Sequence, residues 1–418
     1  MGGLTTYESI IIFASAIIVS YLFNYYSKKS GIPAVLMLIS LGVGMNFFVE
    51  YSTRFNSILK VLGTVGLILI VLEAALDLKL LKEKIGVIFK SLLVSVIGLG
   101  GTSYLAALFL TFIIPDFEFI NALLISIPLS ILSSAIILPS IDSLEGGKKE
   151  FMIYESTFSD IVGIVAFYAV LGMTHSTENT NEVYGLIFGN LLATILFSVL
   201  ISYFLIYIFQ KLKGHAKLFL LISVLLVLYA LGKMLHLSSL IIILVFGLIL
   251  NNYKLFFRGF LKDFILEDKI EGILEDFKVV TVESAFVVRT FFFILFGWSI
   301  TLVDLMDLKA FLVSLGLLVV IYLVRILVLL IFNGASSINK VTPEVFLAPR
   351  GLITILLFYA IPPSISSQYE FNGILLFVII FSCLIMTWSL ISEKKKLEIQ
   401  EEEDFEILEI EENSEEEI

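Results

Sequence analysis

The chain has 418 residues, 59% of them hydrophobic and only 16% charged, with a mean hydropathy of +1.03. Apolar runs of bilayer length recur from end to end, which excludes a soluble globular domain and points to an all-α polytopic membrane protein. The formal net charge of −11 offers no basic surface for nucleic acid, and most of it is local: residues 393–418 hold 13 acids and three lysines.

Thirteen transmembrane helices are predicted, over residues 7–26, 32–49, 58–78, 91–114, 119–141, 151–173, 184–209, 217–235, 238–253, 279–302, 308–332, 345–362 and 371–391. The eighth and ninth are separated only by a turn around His236 and Leu237. The first span follows Met1-Gly2-Gly3, which formally fits a myristoylation pattern, but that end abuts a span and is expected outside. With no preceding basic residue and no small-residue cleavage site, this span reads as a retained helix and not a signal peptide. Of the 27 lysines and arginines, 20 fall in loops on the side of the C-terminus, and only Arg54, Lys60, Lys233 and Lys309 fall in loops on the other. The positive-inside rule therefore predicts a multi-pass cell-membrane protein with its N-terminus outside and its C-terminus cytoplasmic.

Two spans carry residues that disfavour a continuous helix at mid-membrane depth. The fifth runs from Ile127-Pro128 to Leu138-Pro139 through Ser133 and Ser134, and the twelfth contains Pro349-Arg350-Gly351. Proline removes a backbone donor and glycine relaxes the backbone, so each span is expected to break where it lines a cavity, although proline kinks also occur in ordinary membrane helices. The paired breaks and the span count suggest inverted six-helix repeats, spans 1–6 and 8–13, around a linking seventh helix.

The sixth span carries the chemistry. Glu155 and Asp160 stand in a stretch that is otherwise apolar. A carboxylate at the bilayer centre costs about 2.5–3.5 kcal/mol on insertion scales, so it persists only when it faces protein or a wet cavity. On a helix Ser156 and Asp160 share one face at i,i+4, while Glu155 and Ser159 form a second such pair. Carboxylates flanked by hydroxyls are hard oxygen ligands, suited to a small cation or a proton. His175, His215 and His236 all fall in loops or at span ends, so a proton carrier must be a carboxylate. Arg289, Arg325 and Arg350 lie within spans together with Glu73, Asp77, Glu155, Asp160 and Glu283. The arginines read as structural counter-ions that pair with some of these acids and leave one free; Asp77, close to Lys79, is expected to reach the interface. The single Cys383 allows no intramolecular disulfide. No nucleotide loop, metal cluster or nucleophilic triad is present in the sequence, so neither an enzyme nor a cofactor is expected. The acidic tail is expected to be solvated and disordered, with Phe405, Ile407, Leu408 and Ile410 able to support a short amphipathic turn.

Tyr154-Glu155-Ser156-Thr157-Phe158-Ser159-Asp160 resembles the Glu-Ser-Leu-Leu-Asn-Asp signature of NhaP-type and animal sodium/proton exchangers, within the cation/proton antiporter superfamily. Supporting similarities run through Gly31-Ile-Pro-Ala-Val-Leu36, Leu72-Glu-Ala-Ala-Leu76, Arg289 to Gly297, Arg325 and Pro349-Arg350-Gly351. The resemblance implies Asp160 as the essential carboxylate, with Glu155, Ser156 and Ser134 as further cation ligands. It leaves Ser159, Arg289, Arg325 and Arg350 in structural or ion-pair roles. It also implies a homodimer, a mobile core of spans 3–6 and 10–13 with crossed broken helices, and a dimerisation scaffold of spans 1–2 and 7–9. Two positions depart from the exchangers. Ser159 stands where they carry Asn and the electrogenic branch a second Asp, and Leu132-Ser-Ser-Ala-Ile-Ile-Leu138 is closer to the potassium-efflux branch.

Electroneutral exchange of a monovalent cation for H+ follows as the leading expectation, with Na+ first and K+ or Li+ as alternatives. A sodium-coupled organic-solute symporter of the same architecture is the reading from another class, and the Glu155 to Asp160 motif argues against it. A cation channel is not favoured by broken helices at a carboxylate pair.

Overall fold

The computed structural model describes residues 6–30, 32–45, 55–141, 144, 146–174, 180–211, 217–235, 237–300, 306–334, 337–366 and 371–416. The expectations for Met1-Gly2-Gly3, for Arg54 and for His175, His215 and His236 lie outside these residues. The helices are α1 (Thr6–Ser30), α2 (Ala34–Met45), α3 (Phe55–Asp77), α4 (Ile85–Ile113), α5 (Phe119–Ser130), α6 (Ser134–Ile137), α7 (Gly146–Thr174) and α8 (Thr180–Phe209). They continue with α9 (Lys217–Met234), α10 (Ser239–Asn251), α11 (Tyr253–Phe256), α12 (Glu267–Ser299), α13 (Leu308–Asn333), α14 (Leu352–Tyr359), α15 (Pro363–Ser366) and α16 (Phe371–Glu416). Every predicted span coincides with one of these helices, except that the fifth is divided between α5 and α6 and the twelfth is helical only in α14. Among the described residues, eight segments are long and apolar enough to cross a bilayer unaided, and Ala34–Met45, Ile222–Met234 and Ser239–Asn251 are shorter apolar helices.

Serine and threonine hydroxyls are tolerated in these spans because they return to their own helix. Ser103 donates to Leu99 O at 2.7 Å, Ser198 to Thr194 O at 2.5 Å and Ser314 to Ala310 O at 2.6 Å. Each bond satisfies a donor that hydrocarbon cannot.

The helices pack as two bodies. In one, α2 and α3 lie against α12, and α3 also lies against α10, which in turn packs on α8 and α9. In the other, α4 packs on α5, α7 and α13, and α13 packs on α16. This corrects the expected grouping of spans 3 and 10 with the core: α3 and α12 are packed with α2 and α10 instead. The reason is a close crossing of α2 and α12. A Cβ on Gly42 would lie 2.1 Å from Ile294 O, and one on Gly297 would lie 2.2 Å from Ile39 O. Between helices in lipid, where no hydrophobic force draws them together, small residues of this kind let backbones approach and dispersion forces act.

The two bodies meet where α7 passes α3, α8 and α10 and where α14 passes α3. Tyr154 on α7 donates from its hydroxyl to Lys79 O at 2.9 Å, just beyond the end of α3. Beside it, Leu78, Tyr154 and Phe158 form a small apolar cluster separate from the main core.

The tail differs from expectation. α16 continues without interruption through the acidic segment to Glu416. Glu, Lys, Leu and Gln are strong helix formers, and no glycine or proline follows Gly373. A helix already nucleated in the bilayer also extends at low cost.

Gly297→Ala is expected to destabilise the α2–α12 crossing by about 1–3 kcal/mol, the usual cost of overpacking. Gly44→Ala on α2, where a Cβ meets nothing within 4 Å, is expected to be silent. Thermal unfolding of the two purified variants checks this; equal midpoints would show that the crossing is not tight.

Candidate functional site

The site is built where the two broken spans cross. In the fifth, Pro128 weakens the last turn of α5, and the backbone becomes extended at Ile131 and Ser133 before α6 begins. In the twelfth, α14 starts only at Leu352, and Gly351 is extended with φ −154° and ψ −138°. The breaks bond to each other: Ser133 N–H donates to Pro349 O at 3.0 Å. A Cβ on Gly351 would fall 2.3 Å from Ser133 Oγ, so close approach admits only glycine there.

A break in hydrocarbon strands the last carbonyls of the helix that ends there. Arg350, 2% exposed, supplies the donors: its Nε donates to Leu129 O at 2.6 Å and its Nη1 to Ala348 O at 3.0 Å. Its backbone N–H donates to Ser382 Oγ on α16 at 2.9 Å. This corrects the expectation that Arg350 pairs with an acid. Among the described residues its guanidinium meets carbonyl oxygens, because the C-terminal end of α5 already offers partial negative charge.

The other two arginines do pair with acids. Arg325 on α13 holds Glu155 with two bonds, at 2.7 and 3.1 Å, and also donates to the carbonyls of Glu344 and Val345. Arg289 on α12 holds Glu73 on α3 with two bonds, at 3.1 and 3.2 Å.

Asp160 stands apart from these pairs. Five residues turn an α-helix about 140° past a full circle, so Asp160 and Glu155 leave α7 in different directions. Asp160 Oδ2 is bonded by Ser134 Oγ and faces Ser134 N–H at 3.4 Å, at the first turn of α6. Its Oδ1 is buried and without a hydrogen-bond partner. Among the described residues no lysine or arginine pairs with it. Ser159 Oγ accepts from Leu132 N–H at 3.0 Å and so ties α7 to the break. Ser156 is buried and donates to Met152 O at 2.8 Å on its own helix. Of the four predicted cation ligands, the fold thus brings Asp160 and Ser134 together, engages Glu155 with Arg325 and turns Ser156 toward its own backbone.

A cleft of about 1560 Å3 reaches the other side of Ser134. Its walls include Glu73, Asp77, Glu283, Arg289 and Pro139, at the C-terminal half of α3, the first part of α12's span and the end of the broken fifth span. Ser134 is thus the group between the cleft and Asp160. Sequence reading named Glu73 and Glu283 only as intramembrane acids and sent Asp77 to the interface. The signal that marks the cleft is the i,i+4 spacing of Glu73 and Asp77, which puts both on one face of α3. A small cavity of about 20 Å3 lies on the Glu155 and Ser159 side of α7, lined also by Thr102, Arg325 and Arg350.

A deeply buried acid without a basic partner, held by a hydroxyl at crossed helix breaks, has the chemistry to exchange a cation for a proton. Comparison with known families places the whole chain. The model of the transmembrane sodium/hydrogen exchanger family matches residues 13–391. The chain belongs to the sodium/hydrogen exchanger family. Membership makes it a multi-pass membrane transporter of the cation/proton antiport type, not an enzyme. Two solved structures of the sodium proton antiporter MjNhaP1 from Methanocaldococcus jannaschii are similar in fold. One, determined at pH 8, has 20% identity and a TM-score of 0.66, covering 91% of this chain and 95% of that one. The other, an electron-microscopy map, has 19% identity and a TM-score of 0.63, covering 93% and 96%. A search of curated proteins finds no match.

Arg325→Ala leaves Glu155 charged, buried and alone, which is expected to cost about 3–5 kcal/mol. Combining it with Glu155→Gln should recover part of that loss. Thermal unfolding of wild type, single and double variants in detergent checks this, and a single variant as stable as wild type would show the pair to be solvated.

Proposed function

We propose that this exchanger carries a monovalent cation, Na+ in first place, against H+ at Asp160. The observation that supports this most directly is the state of that carboxylate: buried, without a basic partner, with one oxygen unbonded and the other one hydroxyl away from an open cleft. The ionised form attracts a cation, which Ser134 and the free Oδ1 can coordinate. Protonation removes the charge and expels it. Competition of the two for one group supplies the coupling, so the apparent KM for the cation should rise as pH falls.

With the N-terminus outside and the C-terminus cytoplasmic, the ends of α3 and α12 that border the cleft are cytoplasmic, and the conformation is inward-facing. The body of α4–α7 and α13–α16 then moves against α1–α3, α8–α10 and α12 to carry Asp160 to the other side, and two copies associate through the second body.

Exchange is electroneutral on this reading. The charge of Glu155 is balanced by Arg325, and the Ser159 hydroxyl occupies the position where a second acid would add a charge, so one positive charge crosses in each direction. A membrane potential acts with about 2.3 kcal/mol per net charge per 100 mV, and would not drive such a cycle. K+/H+ exchange is the second reading, favoured by Ser134: a hydroxyl beside Asp160 offers a weaker field than a second carboxylate, which penalises K+ less.

In proteoliposomes with a pre-set pH gradient, Na+, K+ and Li+ are each added in turn. Asp160→Asn is expected to abolish the cation-dependent collapse of the gradient at unchanged folded yield. Failure of every monovalent cation with wild type, or full turnover in the variant, would overturn the assignment. A valinomycin-imposed potential is expected to leave the wild-type rate unchanged; a clear effect would make exchange electrogenic and leave antiport intact.

A further inference from the structure

The chain passes between the two bodies three times, after α3, after α7 and after α12. The first passage is short: α3 ends at Asp77, a wall of the cleft, and α4 begins at Ile85. Its two ends are held by different bodies. At the start, Asn251 at the end of α10 and Asn252 just beyond it both donate from Nδ2 to Leu78 O, at 3.0 and 2.8 Å. Asn252 Oδ1 accepts from Leu80 N–H at 2.7 Å, and its Nδ2 also donates to Leu248 O on its own helix at 3.0 Å. Buried backbone groups need partners wherever a helix stops, and here two side-chain amides supply them. α10 is itself packed tightly on the end of α3, since a Cβ on Gly247 would lie 2.6 Å from Ala75 Cβ. Residues 78–80 are therefore tied to the body of α3 and α10.

The far end belongs to the other body: Lys84 at the entry to α4 bonds from Nζ to Glu150 Oε1 on α7 at 2.5 Å. Between the two anchorages, Leu81, Lys82 and Glu83 are exposed. Leu81 is extended, with φ −86° and ψ 133°, and a 3-10 turn follows over Lys82–Lys84. Backbone rotation at these residues displaces no packed side chain.

One bond of the link reaches across the seam. Tyr154 on α7 donates to Lys79 O, and Lys79 stands between the two residues that Asn252 holds. Lys79 O also accepts from Leu81 N–H at 3.2 Å, so it keeps a partner when the tyrosine leaves.

We infer that Leu81–Glu83 is a hinge of the transport motion, that the clasp of Asn251 and Asn252 makes residues 78–80 travel with α3 and α10, and that the Tyr154 hydroxyl is a latch that favours the orientation seen here. The inference rests on the movement of the two bodies proposed above. A bond across a moving seam is made in one orientation and lost in the other, so its net worth enters the equilibrium between them.

Spin labels at Lys269→Cys on α12 and Lys395→Cys on α16, both exposed and one in each body, report the orientation by double electron–electron resonance. The background carries Cys383→Ser, and labelled chains are diluted with excess unlabelled ones, so only distances within a chain are read. Na+ concentration and pH are set where wild type shows two distances. Tyr154→Phe keeps the ring beside Phe158, 6.4 Å between centroids, and removes only the hydroxyl. It is expected to move the populations about 2- to 10-fold away from the distance that matches this structure, the equilibrium worth of one hydrogen bond. In wild type, amide exchange resolved to single residues is expected to differ at Leu81 and Lys84 between conditions that favour either distance, and to stay equally slow at Leu80. Asn252→Ala is expected to make Leu80 exchange faster. Unchanged populations in Tyr154→Phe, or a Leu80 amide whose exchange follows the orientation, would overturn the proposal. A single distance in wild type under every condition would instead remove the movement of the bodies, and the hinge with it.

Discussion

Hydrocarbon offers no partner to a broken helix, and the arrangement of this molecule follows from how the two breaks satisfy each other. Ser133 N–H bonds to Pro349 O, Gly351 permits the approach, and Arg350 returns donors to Leu129 O and Ala348 O. These bonds are charge-assisted or shielded from water, where a lost partner leaves the full desolvation cost behind. The crossing is therefore held by the protein's own donors and acceptors. Asp160 gains its setting from that frame: the first turn of α6, which begins at the break, presents both the hydroxyl and the N–H of Ser134 to one carboxylate oxygen.

Charge is distributed with the same economy. Glu155 and Glu73 each face an arginine in a two-point pair, whereas Arg350 is balanced by carbonyl dipoles. The division of labour is one of freedom. The paired acids have their charge balanced by a guanidinium, and Asp160, which has none, is left to respond to what arrives. Ser159 belongs on the structural side of this division, since its oxygen is committed to Leu132 N–H.

Most of the spans were legible because each must be apolar over bilayer length, and the breaks were legible because Pro128, Pro349 and Gly351 have few other uses there. The motif on α7 was legible because intramembrane carboxylates are rare. What escaped the sequence depends on long-range geometry. Nothing in Arg350 or its neighbours distinguishes a carboxylate partner from the carbonyls of a helix that ends 221 residues earlier. The grouping of α3 and α12 with α2 rests on Gly42 and Gly297 meeting face to face, which single glycines do not announce. The helical tail was misread for a different reason: composition was weighed as net charge, while backbone propensity and continuity with a membrane helix favoured extension.

The seam between the two bodies passes close to the site. Tyr154 gives one hydrogen bond to Lys79 O and joins a small cluster with Leu78 and Phe158, beside an apolar core that runs through both bodies. A typical hydrogen bond contributes about 0.5–1.5 kcal/mol net. Tyr154 also immediately precedes Glu155, so sliding at this contact acts on the same helical turn that Arg325 anchors. The contact at Tyr154 thus lies between the packing of the two bodies and the turn of α7 that carries the site.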